Sequence, residues 1–202
     1  MTHAAVDVIR SEHIALSAML SSLLMLLAQQ RRNGSMPDLA TLRAMLFYID
    51  EFPEQRHHRR ESEVLFPKLR ARTPLARELL DRLDEDHARG ESFVRELEHL
   101  LLGFEMMGEP RREAFEQAVQ RYVSFYLSHM AQEEQQVLPL AERVLDERDW
   151  LEIDEAFSRN RDPLTGHTPD AEYSALFSRI VSMVPAPIGL GDAEPRKTST
   201  VR

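Results

Sequence analysis

Residues 9–27 read IRSEHIALSAMLSSLLMLL, and the placing of their apolar side chains decides the fold class. Ile9, His13, Leu16, Leu20, Leu23 and Leu27 follow one another at spacings of 4, 3, 4, 3 and 4. That is one helical stripe, and a histidine sits inside it. The run extends back to about Ala4 and forward to Arg32, where Asn33-Gly34 supplies a stop signal.

Three more segments carry the same period. Pro37-Asp38 opens the second, which should run to about Arg70 with a bend at Pro53. The third begins near Pro74 and fades around Gly103 to Gly108; its stripe is Leu80, Leu83, His87, Gly90, Val94, Leu97 and Leu101. Glu109-Pro110 starts the fourth, which reaches about Leu145 past Pro139, with Val119, Tyr122, Tyr126, His129, Glu133, Val137 and Leu140 on one face. Short connections make sequential helices antiparallel neighbours, so the expected fold is all-α, an up-down-up-down four-helix bundle over residues 1–146. Residues 147–184 should add a helical extension: a short helix around Asp149 to Ser158, a loop with Pro163, Gly166 and Pro169, and a helix from Asp170 to about Met183. Pro, Gly, Thr and Ser dominate 185–202, where a disordered tail is expected.

Composition agrees. The 202 residues suffice for one domain with a real core, and 43% hydrophobic against 29% charged is ordinary for a water-soluble protein. A net charge of −9 argues against nucleic acid as a partner, because phosphate binding needs a basic face. With no cysteine, thiolate metal sites and disulfides are excluded. His3 and Asp7 break up any secretory signal, and the apolar stretch from Met19 to Ala28 is shorter than a membrane span. The expectation is a cytoplasmic protein that does not engage a membrane.

The histidines carry the chemistry. His57 and Glu61 share a face at i, i+4, as do His129 and Glu133, and each pair is followed by a proline, Pro67 or Pro139. Both stretches read H-x-x-x-E-x-x-x-x-x-P. A single histidine on an apolar stripe is usually a satisfied core residue, and a single H-x-x-x-E pair is usually a surface contact. Four histidines (His13, His57, His87 and His129) and two carboxylates aimed into one core are different, because buried carboxylates need a compensating charge. A bound dication supplies it. Imidazole and carboxylate without thiolate suit Fe, Mn or Zn. Two ions bridged by Glu61 and Glu133 would use every group, with His13 and His57 at one and His87 and His129 at the other. His58 is a candidate fifth histidine ligand or a group behind the ligands. Glu91 reads as solvated or supporting, Glu63 and Glu134 as facing away, and His3, His99 and His167 as uninvolved. Tyr122 and Tyr126, one or two turns before His129, read as core packing, with a phenol that hydrogen-bonds a bridging ligand or shapes the pocket as the alternative.

These residues resemble the hemerythrin-like, or HHE cation-binding, domain proteins. The resemblance rests on Glu12-His13, on the run from His57-His58 through Glu61 and Glu63 to Phe66-Pro67, on Glu85-Asp86-His87, and on His129 with Glu133-Glu134, and it covers roughly residues 4 to 145. It implies a non-haem di-iron centre, two Fe ions joined by the two motif glutamates and a solvent-derived oxo or hydroxo bridge. It also implies a small ligand (O2, NO or hydrogen peroxide), either turned over or bound, with an iron or oxygen sensor or iron-handling protein as the alternative. Oxygen carriers of the family look like having five histidines; here the fifth could only be His58. The C-terminal helices could cover an open end of the bundle or meet another subunit in a homodimer.

Overall fold

A computed structural model of the chain describes residues 3–184. Among the described residues all regular structure is helical, with no strand. The elements are α1 (Ala4–Arg32), α2 (residues 39–72), α3 (Arg77–Met107), α4 (residues 112–144), α5 (Glu147–Ser158) and α6 (Ser174–Met183), with 3-10 turns at Glu109–Arg111 before α4 and at Pro163–Thr165 and Ala171–Tyr173 before α6. The tail expected over 185–202 lies outside the described residues.

α1 contains neither glycine nor proline and ends where Gly34 takes φ 62°. There Gly34 N–H donates to the Arg31 carbonyl and Ser35 N–H to that of Gln30, closing the last turn of the helix. α2 begins at a cap, Asp38 accepting from Ala40 N–H at 3.1 Å. A window within α1 is long and apolar enough to cross a membrane by length and composition alone, yet more than half of it is buried within the protein, Glu12 and His13 among the buried residues.

α2 and α4 are not uniform. They widen to π-helix over Asp50–His57, Glu61–Leu65 and Glu133–Val137. The N–H groups of His58, Phe66 and Leu138 there reach the carbonyls of Pro53, Glu61 and Glu133, one residue further back than an α-helical bond. Proline accounts for the position of two of these turns. Pro67 and Pro139 have no N–H, so the carbonyls of Glu63 and Gln135 lose their α-helical donors and the ladder shifts. The repeated H-x-x-x-E-x-x-x-x-x-P is therefore a repeated local geometry as well as a repeated pair. At Pro53 the expected bend takes the same form, and the chain stays helical through it.

α1 packs on α2 and α4, and α3 packs on the same two helices. The buried apolar side chains fall into two separate clusters. One is built on Leu16–Leu27 of α1, the first half of α2, Val94–Phe104 and Phe115–Met130, and α6 closes it with Phe177 and Ile180. The other gathers Ala5–Ile9, Leu65–Leu69, Leu80, Leu83 and Val137–Leu145 under Trp150, Ile153 and Phe157 of α5. Each fully buried Leu, Ile or Phe contributes about 1.5–3 kcal/mol, so both clusters are substantial. Between them lies a layer of polar side chains.

Candidate metal centre

That layer holds His13 from α1, His57, His58 and Glu61 from α2, His87 from α3, and His129 and Glu133 from α4. All seven residues singled out in the sequence are buried there. Their ring nitrogens converge in pairs: His13 Nε2 lies 3.2 Å from His57 Nε2, and His87 Nε2 lies 3.1 Å from His129 Nε2.

The two glutamates span both pairs. Glu61 has Oε1 at 3.3 Å from His57 Nε2 and Oε2 at 3.5 Å from His87 Nε2. Glu133 has Oε2 at 3.3 Å from His13 Nε2 and Oε1 at 3.3 Å from His129 Nε2. Among the described residues, Glu61 Oε2 and both oxygens of Glu133 are nevertheless buried with no hydrogen-bond partner. Carboxylate oxygens buried in this way need a compensating positive charge, which protonated imidazoles or a metal ion among them can supply. The donors form two groups, each with its ligand atoms within 4.8 Å of one another: His13, His57, Glu61 and Glu133, and His58, Glu61, His87 and His129. His58 thus stands with the second histidine pair. Either group could hold a metal ion, and Glu61 belongs to both.

A second ring of residues aims the histidines. Glu12 Oε2 accepts from His57 Nδ1 at 2.7 Å, Glu54 Oε2 from His58 Nδ1 at 3.1 Å, and Glu134 Oε1 from His13 Nδ1 at 3.0 Å. Ser62 Oγ accepts from His87 Nδ1 at 2.8 Å while donating to Asp84 at 2.6 Å. With one proton held on Nδ1, each of these rings in its neutral form presents Nε2 to the centre as a lone pair, the form a metal needs. Among the described residues His129 Nδ1 has no hydrogen-bond partner, and Asp86 Oδ2 stands 3.7 Å away.

The charges follow the geometry. Burial would push His57 down, but the Glu61 carboxylate and the Glu12 hydrogen bond raise it to about 10. His129 is raised against the same burial to about 9, chiefly by Glu133. Burial and the neighbouring imidazoles hold His58 well below its ordinary value, so it stays neutral. Glu54 is pushed up to about 7 by burial, partly offset by hydrogen bonds from Tyr126 and Tyr122. Glu12 is also buried, yet His57 and Arg60 bring it down to about 2.

Glu12, Glu54 and Ser62 were not singled out as supports in the sequence. Glu54 stands four residues before His58, so the E-x-x-x-H spacing was a usable signal. Glu134 corrects an expectation: although 41% exposed it does not turn away from the site, because it reaches His13 Nδ1. Tyr122 and Tyr126 do more than pack, since both hydroxyls donate to Glu54 Oε1. Glu63, Glu91, His99 and His167 are exposed, and His3 stacks on Trp150 away from the layer.

The hemerythrin HHE cation binding domain model matches residues 4–141, a span that contains all seven residues and ends before α5. No curated protein matches the chain. A family of cation-binding domains and a buried layer of histidines with orphaned carboxylates lead to one assignment: the chain belongs to the hemerythrin HHE cation-binding family.

Proposed function

We propose that this chain is a non-haem di-iron protein whose centre binds or reacts with a small molecule, O2, NO or hydrogen peroxide. His13 and His57 would hold one ion, His87, His129 and His58 the other, with Glu61 and Glu133 spanning both. In this reading residues 1–146 form an up-down-up-down four-helix bundle, 147–184 a helical extension, and the setting is cytoplasmic. The observation that carries it is the pair of glutamates, each presenting one oxygen to each histidine pair. Mixed nitrogen and oxygen donors without thiolate suit iron. Two irons would supply redox-active positions able to take a diatomic molecule or peroxide. The protein's part is to fix the imidazoles through their Nδ1 partners and to keep the layer between two apolar clusters, where bulk water and larger substrates are excluded.

The test is metal analysis of protein produced with iron, read with its near-ultraviolet and visible spectrum. Two irons per chain with charge-transfer bands that change on reduction, and again on adding O2, NO or peroxide, are expected. Zinc or manganese in place of iron would remove the redox reading, and no metal would remove the centre.

An iron-responsive sensor or iron-handling protein is the second reading. It is favoured by the origin of the ligand set in all four long helices, which ties metal occupancy to the stability of the whole fold. A steep iron-dependent gain in protease resistance without any reaction of the bound metal would select it.

A further inference from the structure

The polypeptide beyond the family match returns to the centre at one place. Ala5 N–H donates to Asp154 Oδ1 at 2.7 Å, which fastens α5 to the start of α1. α5 thereby delivers the buried ring of Phe157 against His57, centroids 6.2 Å apart, and beneath the Arg60 guanidinium at 4.7 Å. Arg60 donates from Nη1 to the carbonyls of Phe157 and Arg159 at 3.4 and 3.3 Å, and from Nη2 to Glu12 Oε2 at 2.6 Å. Asn160 then takes φ 48°, a left-handed conformation that asparagine tolerates, and the chain turns inward. Asp162 is buried at the end of that turn. Its N–H donates to Glu12 Oε1 at 3.4 Å, its Oδ1 accepts from Leu164 N–H at 2.8 Å, and its Oδ2 accepts from the Tyr48 hydroxyl.

Both oxygens of Glu12 are therefore spoken for. Oε2 holds the proton of His57 Nδ1 with help from Arg60, and Oε1 is held by the backbone of Asp162. The orientation of His57 depends on a contact made 150 residues from Glu12 in sequence. Beside it lies a cavity of about 10 Å³ lined by Glu12, His13, His57, Arg60, Asn160 and Asp162. That is room for roughly one water molecule.

We propose that residues 157–162 belong to the metal centre as its outer wall, with Asp162 the positioning residue that, through Glu12, fixes the ring of His57 and closes that side to all but the smallest molecules. The proposal rests on the metal reading above and adds a part that the family match does not contain. A carboxylate behind a ligating histidine is worth tenfold to a hundredfold in metal affinity. Loosening what holds that carboxylate should act in the same direction, and only on the ion that His57 serves.

The test uses the full chain loaded with ferrous iron without oxygen, and follows release to EDTA. Uptake by the wild-type protein is read first, so a failure of the metal reading is seen separately, as no uptake. Asp162→Ala is expected to release one of its two ions about tenfold faster than wild type, with the other unchanged. Asp162→Asn, whose amide oxygen still accepts from Leu164 N–H while its NH2 can donate to the Tyr48 hydroxyl oxygen, should restore the wild-type rate. In trypsin digestion, iron should protect the bonds after Arg159 and Arg161 in wild type and lose that protection in Asp162→Ala. Equal acceleration of both ions, or none, in a folded Asp162→Ala protein overturns the proposal. Should that variant not fold, Tyr48→Phe decides, because it removes only the hydroxyl that anchors Asp162; release at the wild-type rate would then overturn it.

Discussion

Gly90 of α3 lies where the hydroxyl of Tyr126 has to pass: a Cβ placed there would overlap that oxygen and stand 2.9 Å from both carboxylate oxygens of Glu54. The glycine is present for the neighbour's space, since its own backbone is plain helix. Exchanging a helical glycine for alanine normally stabilises by about 0.5–1 kcal/mol. At Gly90 the sign should reverse. Gly90→Ala is expected to destabilise by about 1–3 kcal/mol through overpacking, whereas Gly103→Ala, facing open space in the same helix, should stabilise. Urea denaturation of the two variants checks the pair, and a gain in stability at Gly90 would contradict the packing described.

Glu61 offers one oxygen to each histidine pair, and His57 touches only one pair. The two truncations should therefore differ in stoichiometry. His57→Ala should retain about one metal ion per chain, while Glu61→Ala should fall below that, because both positions lose a donor. Equal losses in plasma-emission analysis would argue against a bridging glutamate.

Metal and protons compete for the same nitrogens. In the metal-free protein His57 at about 10 and His129 at about 9 are protonated at neutral pH. Both values are raised above an ordinary histidine, so the stability they contribute is fully present below about pH 6.5 and is lost as pH rises through 9 to 10. A metal needs these rings neutral, so its binding at pH 7 should expel protons and its affinity should climb as pH rises toward 9. Calorimetry in buffers of different ionisation enthalpy measures the release; a heat independent of buffer would refute it.

Glu54→Gln should change a tautomer and leave the fold in place. The amide oxygen can still accept from Tyr122 and Tyr126, which puts its NH2 against His58 Nδ1. That nitrogen must then accept, and the ring proton moves to Nε2, the atom facing the centre. Long-range proton–nitrogen spectra of the imidazole should show the exchange, with His58 lost as a metal donor. Retention of the Nδ1 proton would show that Glu54 does not control it.

Much of this was legible in the chain because helical periodicity is strict. The stripes of α1, α3 and α4 placed His13, His87, His129 and Glu133 inward with their neighbours, and every stripe residue is buried. What stayed hidden was acidic. Glu12 entered only as part of the Glu12-His13 pair that carries the resemblance, with no role of its own, and Glu54, between Pro53 and Gln55, lies on no apolar stripe. Their burial depends on partners from other helices, such as Arg60, Tyr122 and Tyr126, and no local pattern announces those. The π-turns were hidden for a similar reason. A proline signals a lost hydrogen bond, but whether the helix bends or widens depends on what the facing helices require.

The polar layer also divides the interior, since one apolar cluster lies on each side of it. Hydrophobic burial can make each half cooperative, but across the layer the halves are joined by helix continuity and by groups that carry charge. Metal ions at that seam would act as rivets, turning two thermal units into one. Without them the half built around Trp150, Ile153 and Phe157 should open on its own, and amide exchange resolved along the chain would show two protection plateaus that merge when metal is restored.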